Sequence, residues 1–212
     1  MRQRYQTKTI DKEMIYYYIY GLLHSEEYRS EFEADLKKSL PRIPIVEKVD
    51  DFLAFSKAGR ALAELHLNYE DVEPHPEVFV SYGTDEKSYE DYDFYKVEKM
   101  RFGKKDGVDK NGKPKKVDDK SVIIYNRNIR ISNIPDVAYQ YVINGKSAIE
   151  WIMERYTITT DTKSGIKNDP NNWCHEHKNP TYIYDLLLSV ITVSCQTVDI
   201  IKALPHLICF QK

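Results

Sequence analysis

Apolar residues recur at helical spacing through the first third of the chain. Met14, Ile15, Tyr18, Ile19, Leu22 and Leu23 fall at steps of three and four, which predicts one buried helix face, and Asp11 stands where its N-cap belongs. Tyr28, Phe32, Leu36 and Leu40 repeat every four residues behind Ser25, a second cap. Glu26 and Glu27 occupy the first turn of that helix, where its dipole favours acids. Pro41 ends it, and LPRIP continues extended because residues before proline avoid the helical region. A third helix starts at Asp50 or Asp51 and carries Phe52, Phe55, Gly59, Leu62 and His66 on one stripe. His66 on that stripe is expected to be a satisfied core histidine, not a ligand.

The pattern changes in the middle. Segments 94–102 and 121–132 are rich in Val, Ile, Tyr and Phe and predict two strands of a hairpin around a lysine-rich loop. Pro135 near the first helical position and Asn144-Gly145 at the end predict a short helix over 133–145. Ser147 then starts another helix, with Ile149, Trp151, Ile152 and Tyr156. TITTDTKSGIKNDPNN is a turn-rich crossing. A long final helix spans 180–204. Its apolar run is interrupted by Asp185, Gln196, Asp199 and Lys202, which predicts a buried helix and no membrane span. The expected class is α+β, mostly helical, with a small antiparallel β-sheet or hairpin in the middle. The expected divisions are an N-terminal helical region (1–70), an acidic loop or linker (71–93), an α+β region (94–205) and a tail (206–212).

Composition adds a charge asymmetry. The 212 residues suffice for one domain or two small ones, and the net charge of −2 hides an uneven distribution. Residues 64–93 hold ten acids and one lysine; residues 96–120 hold ten bases and five acids. Three cysteines, Cys174, Cys195 and Cys209, without regular spacing argue against a disulfide framework. With no signal peptide visible at the basic start, a cytoplasmic location is expected.

Two short motifs carry possible chemistry. NPTY (179–182) invites comparison with the N-P-P-[YF] motif of amino-methyltransferases. It lacks the second proline, follows HEHK instead of a buried strand, and has no glycine-rich cofactor turn upstream. A helix start is the better reading. CHEH (174–177) offers a cysteine and two histidines as metal-type ligands, without the second, spaced pair that zinc requires, so no metal is expected. No catalytic constellation is visible.

The segment 103–117 holds six lysines, two acids and three glycines. It is either a solvated tip or a grip for phosphates. In YNRNIRISN, just after it, polar residues fall at alternate positions.

Several long blocks in order resemble the C-terminal end of Type ISP single-chain restriction–modification enzymes. They are YIYGLLHSEEYRSEFEADLKKSLPRIP, FSKAGRALAELHLNYE, KMRFGK, IYNRNIRISNIPDVAYQYVINGKSAIEWIMERY, TDTKSGIKNDPNNW and VDIIKALP. The resemblance covers nearly the whole chain. It implies a target-recognition, or specificity, domain that positions and reads double-stranded DNA. The implied parent carries nuclease, ATP-driven translocase and adenine-N6 methyltransferase parts using S-adenosylmethionine, ATP and Mg. None of those catalytic parts, and no cofactor of its own, is expected in this chain.

On that reading Arg101, Lys104, Lys105, Lys113, Lys115 and Lys116 bind phosphates, and Lys163 and Lys167 lie on a second loop at the duplex. Asn126, Arg127, Asn128 and Arg130 are the candidates for base edges, since Arg suits guanine and Asn suits adenine. If 121–132 is one strand, Asn126, Asn128, Arg130 and Ser132 share a face. Asn128 and Arg130 are then the expected base-reading pair, with Arg127 at an apolar edge or a phosphate. The tyrosine-rich first helices are expected to contact the upstream methyltransferase part. The rival reading is a docking module that joins translocase and methyltransferase and touches no base.

Overall fold

The structure, a computed structural model, describes residues 5, 10–83 and 91–210. The chain forms two compact units: Met1–Asn68 with Gln196–Lys212, and Tyr69–Cys195.

The first unit is built on α1 (Lys12–His24), α2 (Glu26–Glu31), α3 (Glu33–Leu36) and α4 (Val49–Leu67). Asp11 caps α1, its carboxylate accepting from Met14 N at 2.7 Å. Ser25 Oγ accepts from Tyr28 N. The helix expected to run to Leu40 is broken at Phe32 into two short pieces, and Leu40 is 88% exposed. The Tyr28 hydroxyl, donating to Arg42 O at 2.9 Å, ties the returning chain down earlier than the four-residue repeat suggests. Helices α1 and α4 approach until backbones touch. A Cβ on Gly59 would lie 1.8 Å from Tyr17 O, and one on Gly21 2.4 Å from Phe55 O. Beside that crossing, buried Tyr18 stacks on Phe52 at 4.8 Å and donates to Pro44 O. The expected tail is tied in: Val46 bridges Cys209, and Phe210 N donates to Ile45 O. His66 hydrogen-bonds the Tyr20 and Thr197 hydroxyls at 2.9 and 3.0 Å, as a satisfied histidine should.

The second unit contains β1 (Phe79–Tyr82), α5 (Tyr92–Tyr95), β2 (Arg101–Val108), β3 (Pro114–Ile124) and β4 (Ile129–Ser132). A 3-10 turn (Asp136–Gln140), β5 (Val142–Ile143), β6 (Lys146–Ser147) and α6 (Ala148–Arg155) follow. Last come β7 (Thr159–Thr160), β8 (Lys167–Asn168), α7 (Asn171–Glu176) and α8 (Tyr182–Lys202), which belongs here as far as Cys195. Strands β1, β4, β3 and β2 make one antiparallel sheet in that order. Its inner face, with Ile123, Ile129 and Ile131, packs in one core with Ile183, Tyr184, Leu187 and Ile191 of α8. Helix α8 is long and apolar enough to cross a membrane, yet 78% of its most apolar window is buried inside the protein. Residues paired across strands share a face. The outer face therefore carries Phe79, Ser81, Arg130, Ser132, Ile124 and Arg101.

Three local expectations are corrected. Residues 92–95 are helical, and the first strand of the hairpin begins only at Arg101. The expected strand over 121–132 is two strands separated by a turn. Asn144-Gly145 ends no helix: at φ 50° and 86° it is the turn of the β5–β6 hairpin, the backbone that Asn-Gly favours there. Ser147 does start α6, in a reciprocal capping box with Glu150.

Candidate nucleic-acid interface

The lysine-rich segment is not a loop. Beyond the bulge at Phe102/Gly103, β2 and β3 continue as a two-stranded arm closed only over 109–113. Its acids and lysines meet across the ladder. Lys104 bonds Asp118 at 2.5 Å, Lys116 bonds Asp106 at 2.8 Å, and Lys105 lies 3.5 Å from Asp119. Each exposed pair contributes little, but opposite charges across a ladder favour this register. The Asp119 carboxyl is held below the usual range, chiefly by the Ser121 hydroxyl and also by Lys105. At the tip Asp109 accepts from Asn111 N and Lys113 N, shaping the turn. Among the described residues no ion pair holds Lys113 or Lys115. The six expected phosphate ligands therefore divide: Lys104, Lys105 and Lys116 are paired within the arm, while Lys113, Lys115 and Arg101 have no ion-pair partner among the described residues.

The turn between β3 and β4 is fixed by asparagine side chains. Asn126 Nδ2 donates to Phe94 O and Lys96 O at 2.8 and 2.9 Å. Its Oδ1 accepts from Asn128 N and Ile129 N, both at 2.8 Å. Asn128 Nδ2 donates to Phe94 O at 3.2 Å, and Asn128 O accepts from Gly83 N. The alternation that placed Asn126, Asn128 and Arg130 on one strand face is thus corrected. The two asparagines spend their amide groups on the backbone of α5 and the turn. Arg127, between them, is exposed, and no ion pair holds it among the described residues. Arg130 does lie on the outer sheet face, paired across the ladder with Ser81 and Ile124.

Arg101 and Ile124 at the sheet edge, with the turn residues, line a cleft of about 360 Å³. Lys96 and Lys99 add cations to it, and Asp93 and Glu98 add carboxylates. The sequence reading did not single out these four. No periodicity could find them, because they reach the cleft only when the link from α5 to β2 folds against the β3–β4 turn. The closely spaced asparagines of YNRN were the usable signal, since Asn favours turns that its own side chain closes. On the β7–β8 hairpin, Lys167 pairs with Asp169 at 2.9 Å, whereas Lys163 sits in the turn organised by Asp161 and has no such partner among the described residues.

The two chemical motifs dissolve into packing. Cys174 is buried in the core, His175 stacks on Tyr92 at 4.3 Å, and His177 stacks on Trp173 at 4.0 Å. Among the described residues no three His, Cys, Asp or Glu side chains gather as metal ligands. In NPTY, the Thr181 hydroxyl bonds Asp185 at the start of α8, and Tyr182 donates to Glu70.

The sequence matches the Type ISP C-terminal specificity domain over residues 1–186. The chain belongs to this family. The specificity domain is also similar to three solved structures. A nuclease-deletion mutant of the Type ISP restriction-modification enzyme LlaGI, in complex with a DNA substrate mimic, is 42% identical with a TM-score of 0.77. That match covers 97% of this chain and 17% of the deletion mutant's. The ATP-dependent Type ISP enzyme LlaBIII, bound to DNA, is 40% identical, also at 0.77, over 96% of this chain and 12% of its own. A DrdV–DNA complex is 27% identical at 0.71, over 96% of this chain and 19% of its own. The specificity domain thus spans less than a fifth of each of these proteins. No curated protein matches it.

Proposed function

We propose that this specificity domain holds double-stranded DNA against the open side of its sheet, within a Type ISP restriction–modification enzyme of the cytoplasm. The observation that carries the reading is a set of cations with no ion-pair partner among the described residues, at one end of the sheet and along the arm. Arg101, Arg127 and Arg130 lie on or beside the outer face, and Lys113 and Lys115 extend along the arm. Three relatives of the same fold were solved with DNA, which supports it. The free lysines and Arg101 take phosphates; the ion-paired Lys104, Lys105 and Lys116 stiffen the arm that delivers them. Lys163 gives a second phosphate contact, with Lys167 the weaker candidate because Asp169 occupies it. Arg127 and Arg130 remain candidates for base edges, while Asn126 and Asn128 shape the turn.

Adenine methylation, ATP-driven translocation and cleavage are assigned to other parts of the parent, as are S-adenosylmethionine, ATP and Mg. The first helices, with Tyr16 62% exposed, are the proposed contact for the methyltransferase part.

The test is duplex binding by the chain across a salt series. Neutralising Lys113 and Lys115 should flatten the log–log slope by about one unit per lost phosphate contact. Neutralising Lys104 and Lys105 should flatten it less, because each already has a carboxylate neighbour. A slope that stays put in the Lys113/Lys115 variant rejects the arm as a phosphate grip.

A further inference from the structure

Resting on that reading, we infer that Arg127 is the residue that reads a guanine of the target, with the β3–β4 turn as its rigid mount. Three observations converge on it.

The first is presentation. Arg127 is exposed at the centre of a turn whose neighbours on both sides are tied down. Asn126 makes four hydrogen bonds to backbone groups, and Asn128 adds its amide bond to Phe94 O. Gly83 N closes the turn from β1 by donating to Asn128 O. A guanidinium on such a mount loses less freedom when it engages a base than one on a loose loop, so more of its hydrogen-bond energy appears as discrimination.

The second is availability. A guanine offers O6 and N7 in the major groove, which the planar fork of an arginine meets with two parallel hydrogen bonds. No ion pair spends the Arg127 guanidinium among the described residues, whereas three of the arm's five candidate lysines are spent on aspartates.

The third is the mixed charge of the cleft. Asp93 and Glu98 line it together with Arg127, Arg101, Lys96 and Lys99. Carboxylates repel phosphates, so a surface made only to grip the backbone has no use for them. A guanine–cytosine pair has a use for both signs: its guanine edge accepts and its cytosine amine donates. Arg130, held in the sheet between Ser81 and Ile124, is not among the residues that line this cleft.

Asn126 is then a positioning residue: it acts through Arg127. The test is enrichment of bound duplexes from a randomised pool by the 212-residue chain, comparing wild type with Arg127→Lys, Arg130→Lys and Asn126→Ala. The lysine variants keep the charge and lose the fork. Wild type should enrich a site with at least one fixed guanine. Arg127→Lys should lose preference at one guanine by roughly tenfold or more while keeping its affinity for unrelated duplex and its salt slope. Arg130→Lys should keep that position. Asn126→Ala should relax the same guanine, and adding Arg127→Lys to it should relax that position no further. A turn with a merely structural role would lower thermal stability and overall affinity without singling out a base.

An unchanged profile in Arg127→Lys overturns the inference, as does relaxation in Arg130→Lys alone. A wild-type chain that binds duplex with a steep salt dependence but enriches no sequence overturns it too, and leaves the phosphate grip standing. Failure to bind duplex at any salt overturns both.

Discussion

At the scale of single residues, the same few side chains carry both stability and the proposed recognition. Asn126 satisfies two carbonyls and two amides at once. Asn126→Ala should therefore cost roughly 1–3 kcal/mol, since truncation strands partners that were counting on it. Chemical denaturation of the variant beside Arg127→Ala checks this; the exposed arginine should cost almost nothing. The paired histidines of the first unit make the other residue-scale prediction. Burial, with a smaller push from His24, lowers the His66 pKa from its ordinary 6.5 to about 4. Burial also lowers that of His24, against the pull of its bond to Tyr20 O, with Arg29 adding a little. Below pH 6.5 the unfolded chain takes up protons that the folded one refuses, so stability falls with pH until His66 itself charges near 4. Melting temperatures measured from pH 7 down to pH 4 should decline, and His66→Gln should flatten the decline.

At the scale of elements, helices were the legible part. Asp11, Ser25 and Ser147 each cap where their residue type and the apolar spacing placed them, because both signals are local. The sheet was legible only as a region. The arm was missed because its strands bury nothing beyond the bulge: Lys104, Asp106, Lys116 and Asp118 are held by cross-strand charge and leave no alternation of apolar residues. The turn at 125–128 was missed for the opposite reason, since alternation seemed to run through it while asparagine chemistry broke the strand. The free arginines were found from residue type, but which of them the backbone presents depended on that turn. Gly21 and Gly59 show what a helical stripe conceals, for spacing places Gly59 on the buried face without revealing that α1 backbone touches it. Gly59→Ala should destabilise the chain by about 1–3 kcal/mol or more, because backbone atoms cannot step aside as a side chain can. A calorimetric melt that stays within a degree of wild type would show that the two helices slide apart freely.

At the scale of the whole molecule, a Type ISP specificity domain is present that amounts to less than a fifth of the enzymes it resembles. Its charge is sorted along the chain, with ten bases in residues 96–120 of the second unit. The isolated chain should transfer no methyl group and hydrolyse no ATP; calorimetric binding of S-adenosylmethionine at micromolar affinity would revive NPTY as an amine-binding motif. The most direct measurement of the central claim is amide hydrogen exchange of the chain with and without duplex DNA at low salt. The account predicts slowed exchange along β2, β3 and the 125–130 segment, with α1 and α4 unchanged. Slowing confined to α1 and α4, or no change anywhere while duplex is bound, would contradict it.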